Sequence, residues 1–153
     1  MDTTRLERRL RAPRSAVYRA LLDPGAVARW RVPHGMASRV HRWEAREGGT
    51  VRVSLTYETT GQTGKTTAST DTYTGRFVRL VPDETVVEVD EFETDDPDLR
   101  GEMTMTVTLA DTEDGTLLVA VHEGLPRGVS AADNEAGWTS ALDRLAALVE
   151  GRG

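Results

Sequence analysis

His122 is the side chain with the clearest chemical capacity in this sequence. It closes an alternating run in which Leu118, Ala120 and His122 share one face and Leu117, Val119 and Val121 share the other. An imidazole at such a strand end can hydrogen-bond a carbonyl or hydroxyl, or exchange a proton near neutral pH. Both faces are apolar, so alternation leaves open which one turns inward. The plainer role is a hydrogen-bonded histidine that pins the strand end to the start of the next helix.

Together with His34 and His41, His122 also raises the question of a metal. Zinc needs three or four converging ligands, often with local pairs among them. The three histidines are irregularly spaced and there is no cysteine, so neither a metal nor a cofactor is expected. The same lack removes thiol nucleophiles and disulfides. Gly61-Gln62-Thr63-Gly64-Lys65-Thr66 looks at first like a phosphate loop, but Thr59 stands where that pattern needs glycine. A further run of Thr and Ser follows it, and without a helix N-terminus there is no cradle of aligned N–H groups. A hairpin tip is expected there. No catalytic set is assigned.

The remaining candidates are large side chains that can wall a pocket: Trp30, Trp43, Tyr57, Phe77, Met103, Met105 and Trp138. Aromatics make up only 5% of the chain, so each is a sizeable share of the available apolar volume. Gly137 beside Trp138 leaves a gap next to the indole. Small residues on the strands (Ser54, Thr56, Thr72, Thr74, Gly75, Ala120) can leave the interior partly unfilled. Trp30 and Arg31 stand where they can gate a pocket mouth or simply pack.

The elements that must position these residues are legible from periodicity. Thr4 to Ala12 alternates as a half-buried strand. Pro13 suits a helix start, Asp23-Pro24 ends that short helix and caps a second one through Val27 to Trp30. From Ala37 to Gly124 the period is two almost throughout. Strands are expected over Ser38–Arg46, Val51–Tyr57, Thr72–Val81, Val86–Phe92, Met103–Leu109 and Leu117–Glu123, with a polar loop from Thr59 to Thr70. Ser130 caps a long final helix with an apolar stripe of Trp138, Ala141, Leu142, Leu145, Leu148 and Val149, and Gly151 stops it. No helices separate the strands, so the sheet is antiparallel.

Composition bounds the rest. At 153 residues the chain is one domain, able to bury roughly 70% of its unfolded surface. A net charge of −6 argues against nucleic acid as partner, and the arginines at 5, 8, 9, 11 and 14 read as a solvated face. No apolar run approaches 18 residues, so neither a membrane span nor export is expected, and the cytoplasm is the expected compartment. The acidic stretch Glu91 to Asp98 is a solvated loop or, alternatively, a docking patch for a basic partner. Oligomeric state is left open.

Several strings, in order, resemble the activator of heat shock protein 90 ATPase homologue-like family, within the START-like helix-grip superfamily. Ala12-Pro13 with Val17-Tyr18, Ala20-Leu21, Asp23-Pro24 and Trp30 is similar to the family's opening. Arg46-Glu47-Gly48-Gly49, Gly75-Arg76-Phe77 with Pro82, and Gly115-Thr116 with His122-Glu123-Gly124 and Gly137-Trp138 are similar to its later motifs. The resemblance implies an α+β helix-grip, a curved antiparallel sheet of six to seven strands around the C-terminal helix, with His122 facing a cavity. It implies no shared catalytic residues. Eukaryotic cochaperone members carry an additional N-terminal domain, and this chain starts directly on the first strand.

Three functions are then expected in descending order. The first is non-catalytic binding of a hydrophobic or amphipathic small molecule between sheet and helix, in a cavity of roughly 300 Å³ or more. The second is a chaperone-associated interaction module. The third is a cyclase- or hydrolase-type enzyme, which would need His122 beside a carboxylate or hydroxyl.

Overall fold

The structure, a computed structural model, describes residues 2–33, 35–57 and 70–151. The Gly61–Thr66 string and His34 lie outside them. The chain runs β1 (Asp2–Leu10), α1 (Arg14–Leu22), α2 (Pro24–Trp30), then β2 (Met36–Trp43) and β3 (Thr50–Tyr57). It continues through β4 (Thr70–Val81), β5 (Thr85–Phe92), β6 (Met103–Thr112) and β7 (Gly115–Leu125) to α3 (Ala131–Val149). The strands form one seven-stranded sheet in the order β1-β7-β6-β5-β4-β3-β2, antiparallel at every pairing. The antiparallel sheet is the one the strand and helix order predicts, and the whole is the α+β helix-grip that the family resemblance implies.

Local chemistry explains the boundaries. Asp23 accepts the Ala26 N–H at 2.8 Å and Pro24 takes the first helical position, so α2 starts within one residue of the end of α1. Ser130 accepts the Asp133 N–H at 3.0 Å, and Gly151, at φ 74°, ends α3 in a conformation that side chains disfavour. Strand β2 stops at Trp43, short of the expected Arg46. Glu44 turns back instead, its Oε1 accepting the Thr50 N–H and hydroxyl at 2.9 and 2.6 Å, which closes a wide turn.

Period two sorts the strand residues onto two faces. The inner face carries Leu10, Val51, Val53, Phe77, Val86, Val107, Leu109, Leu118 and Ala120, all buried. Against it lies α3, whose Ala141, Leu142, Leu145 and Ala146 are buried. Burying the two leucines contributes about 1.5–3 kcal/mol each. The Leu118–Ala120–His122 face is the inward one, which settles the ambiguity of β7.

The outer face is polar. Ser54 and Thr72 hydroxyls meet at 2.8 Å, Thr56 and Thr70 at 3.1 Å, and Arg52 grips Glu93 with two hydrogen bonds. The small hydroxyl residues of β3 and β4 therefore lie outside rather than leaving room within. Their parity in the strand is opposite to that of Val53 and Tyr73. No helix among the described residues is long and apolar enough to cross a membrane.

Candidate functional site

At one end of the grip, sheet and α3 do not meet, and a cavity of about 190 Å³ lies between them. Met103 and Met105 of β6, Phe92 of β5, Leu125 of β7 and Trp138 of α3 give it a mostly apolar wall. Asp133 lines it and is exposed, so it reaches solvent there. Part of the space comes from Gly137, where a Cβ would meet no atom within 4 Å.

Four of the expected wall residues line this cavity: Met103, Met105, His122 and Trp138. Trp30, Trp43, Tyr57 and Phe77 do not. Trp30 sits behind Trp138, ring centroids 6.0 Å apart, and donates its indole N–H to the Ala20 carbonyl at 2.8 Å. Trp43 and Phe77 pack edge to face at 5.4 Å under α1, with the Trp43 N–H on the Leu22 carbonyl. They pack into the core instead, and the cavity is smaller than the roughly 300 Å³ expected. Tyr57 is at the last position of β3, opposite Met36.

His122 is 5% exposed. Asn134 of α3 donates from Nδ2 to His122 Nδ1 at 3.0 Å and to the Thr4 hydroxyl at 2.9 Å, and that hydroxyl is 3.2 Å from Nδ1. The histidine thus does pin β7 to the start of α3, and to β1 as well. With Nδ1 accepting, the neutral ring carries its proton on Nε2. Nε2 is buried and has no protein partner. Burial first, then the Arg31 charge, push the imidazole down to about 4, against a weaker opposing pull from Glu88. At neutral pH it is an uncharged hydrogen-bond donor on the cavity wall, packed 4.6 Å from the Trp138 ring.

Beside it lies a buried ionic cluster. Arg31, just past α2, reaches both Glu88 carboxylate oxygens at 2.9 and 3.0 Å, and Asp90 at 3.1 Å. The three side chains are 10%, 1% and 10% exposed. The guanidinium also lies 5.4 Å from the Tyr73 ring centroid and 5.3 Å from that of Trp138, a cation–π arrangement.

Two carboxyl groups share one cation, and their titrations separate. Burial raises Asp90 well above the ordinary range, and the Glu88 charge adds to it more than Arg31 relieves. Burial works against Glu88 ionisation too, but Arg31 and the Asp90 hydrogen bond outweigh it and Glu88 is lowered. The pair therefore keeps one proton, on Asp90. Gly75, across from Asp90, makes room for this carboxyl: a Cβ there would fall 1.9 Å from Oδ1. Tyr73, whose hydroxyl is buried without a protein partner, is pushed up by burial and stays a neutral phenol.

Arg31 belongs to the cavity wall rather than to simple packing. Glu88, Asp90, Tyr73, Thr4 and Asn134 also belong to this site and are not among the residues expected from the sequence. The signal for the acids was present: in β5, Glu88 and Asp90 share a face with Val86 and Phe92, so two carboxyl groups point to the apolar side. Among the described residues no group of His, Asp and Glu is arranged to hold a metal ion.

The acidic loop is partly neutralised within the fold. Glu93 pairs with Arg52, and Asp98 with Arg127 at 2.8 Å. Asp96 accepts the Asp98 N–H and so caps its own turn.

Comparison with known proteins covers nearly the whole chain. The family model described as Activator of Hsp90 ATPase homolog 1-like protein matches residues 11–150. A Chromobacterium violaceum protein of known crystal structure is 39% identical, with a TM-score of 0.87 over 97% of this chain and 96% of that one. A Rhodobacter sphaeroides crystal structure (19% identity, TM-score 0.81, covering 99% and 93%) shares the fold. So does the solution structure of an AHSA1-like protein from Aeromonas hydrophila (20%, 0.73, 99% and 94%). No curated protein sequence matches significantly.

Proposed function

We propose that this chain, which belongs to the Activator of Hsp90 ATPase homolog 1-like family, binds a small hydrophobic or amphipathic molecule between its sheet and α3, without chemistry on it. The carrying observation is His122 Nε2: a buried donor with no protein partner, set in a wall of methionine, phenylalanine, leucine and tryptophan. Leaving such a group unpaired costs about 1–3 kcal/mol, which a ligand acceptor recovers. Size supports one ring or its equivalent, since an engineered cavity of about 150 Å³ takes benzene.

Binding is favoured over acid–base catalysis because the imidazole is pushed down to about 4 and its Nδ1 is already engaged. It is favoured over a chaperone-docking role because Val78 is the only large apolar side chain exposed among the described residues, where docking calls for a contiguous patch. Native mass spectrometry of freshly purified protein should show a co-purifying mass that leaves on denaturation. Gly137→Leu, which fills the gap beside Trp138, should remove it. A ligand-free mass, together with no thermal shift from any single-ring compound, would refute the reading.

A further inference from the structure

The binding reading leaves the kind of ligand open, and the polar end of the cavity narrows it. Resting on that reading, we infer that the site selects uncharged molecules bearing a hydrogen-bond acceptor, a ketone, amide, ester or ether on a compact apolar body, and rejects the corresponding carboxylates and amines.

The first ground is the spent cation. Arg31 is the one positively charged residue on the cavity wall among the described residues. Its Nη1 and Nη2 are committed to Glu88 and Asp90, and Tyr73 and Trp138 take up the surroundings of its guanidinium plane. Asp71 and Asp133 share the same wall. An incoming carboxylate would have to break the bidentate Arg31–Glu88 pair, leaving a buried glutamate exposed to a second anion in a low-dielectric setting.

The second ground is the direction of the hydrogen bonds. Because Asn134 donates to Nδ1, His122 presents an N–H to the cavity rather than a lone pair. An ammonium group brings only donors and would meet that N–H head on. It would also approach the buried Arg31 charge. Asp90 holds its proton through burial and the Glu88 charge, and an ammonium drawn to Asp71 or Asp133 would still leave the His122 N–H unpaired. An uncharged acceptor satisfies His122 and disturbs neither carboxyl group.

The third ground is the wall itself. Met103, Met105, Phe92, Leu125 and Trp138 suit an apolar body and offer nothing to solvate an ion.

A set of one-ring probes of matched size tests this on the wild-type protein: acetophenone, benzoate, benzylammonium and ethylbenzene. Binding at pH 7 is read by ligand-detected NMR and by shifts of the Trp138 indole and His122 ring signals. Acetophenone is expected to bind at least tenfold more tightly than either charged probe and several-fold more tightly than ethylbenzene. In His122→Leu, checked for folding by its one-dimensional spectrum, the advantage over ethylbenzene should vanish while ethylbenzene still binds. If this variant does not fold, the wild-type ranking alone decides. Benzoate or benzylammonium binding as well as acetophenone would overturn the inference and leave the binding reading standing. If ethylbenzene binds as tightly as acetophenone, the acceptor requirement falls in the same way. Failure of all four to bind would overturn both.

Discussion

Replacing the two buried carboxyl groups one at a time separates their roles. Glu88→Gln keeps the shape but removes the only full negative charge on Arg31, leaving a guanidinium that is 10% exposed without its ion partner. Breaking a buried pair from one side costs about 3–5 kcal/mol. At about 2–4 °C per kcal/mol for a domain of this size, the midpoint should fall by roughly 10 °C. Asp90→Asn should cost within about 1 kcal/mol, because Asp90 already carries a proton and an amide can still accept from Arg31 and donate to Glu88. The pH dependence has opposite signs for the two. Asp90 is raised in the fold, so its contribution is present below its ordinary 3.8 and is lost as pH rises through the raised value. Wild type should therefore lose ground to Asp90→Asn between pH 4 and 7. Glu88 is lowered, so its contribution is present above 4.5 and is lost on acidification, and the deficit of Glu88→Gln should shrink toward acid. Urea denaturation at pH 4, 5, 6 and 7, followed by tryptophan fluorescence, reads both. Equal costs at pH 7, or a larger cost for Asp90→Asn, would refute the placement of the proton.

Two other outcomes are expected. His122, ordinarily near 6.5, titrates at about 4 in the fold, so the unfolded chain takes up its proton first as pH falls. Stability should drop by about 3 kcal/mol from pH 6.5 to 4, absent in His122→Gln, whereas a ring titration near 6.5 by NMR would contradict it. Gly75→Ala places a Cβ 1.9 Å from Asp90 Oδ1 and 2.6 Å from the Val89 carbonyl. It should destabilise by about 1–3 kcal/mol in a melting experiment, and a neutral or stabilising result would mean that Asp90 does not sit over Gly75.

The fold was legible because its signals are local and repeated. Alternation marked the strands, Asp23-Pro24 and Ser130 marked helix starts, and the lack of helices between strands required antiparallel pairing. The site was legible only where a residue type is rare. His122, Trp138 and the methionines of β6 stand out in any reading, whereas Glu88 and Asp90 look like two more acids on an acidic chain. Their meaning depends on Arg31, 57 residues away from Glu88, arriving from the end of a seven-residue helix. Spacing along the chain cannot report a charge pair closed by tertiary packing. The aromatic inventory misled in a comparable way, because Trp43 and Phe77 are inward like Trp138 but face α1 at the other end of the grip.

The pairing of β1 with β7 has a consequence for how the molecule comes into being. The first strand's neighbour in the sheet is the last strand, with Leu6 opposite Ala120 and Leu10 opposite Thr116. A nascent chain therefore holds β1 without a partner until almost the whole sequence has left the ribosome. The His122 anchor forms later still, because Thr4 meets Asn134 across 130 residues. Such long-range closure slows folding and makes the cavity between sheet and α3 one of the last features to appear. A molecule that binds there would recognise folded chains alone, and would raise the ratio of folded to unfolded chains by a factor of one plus its concentration over its dissociation constant.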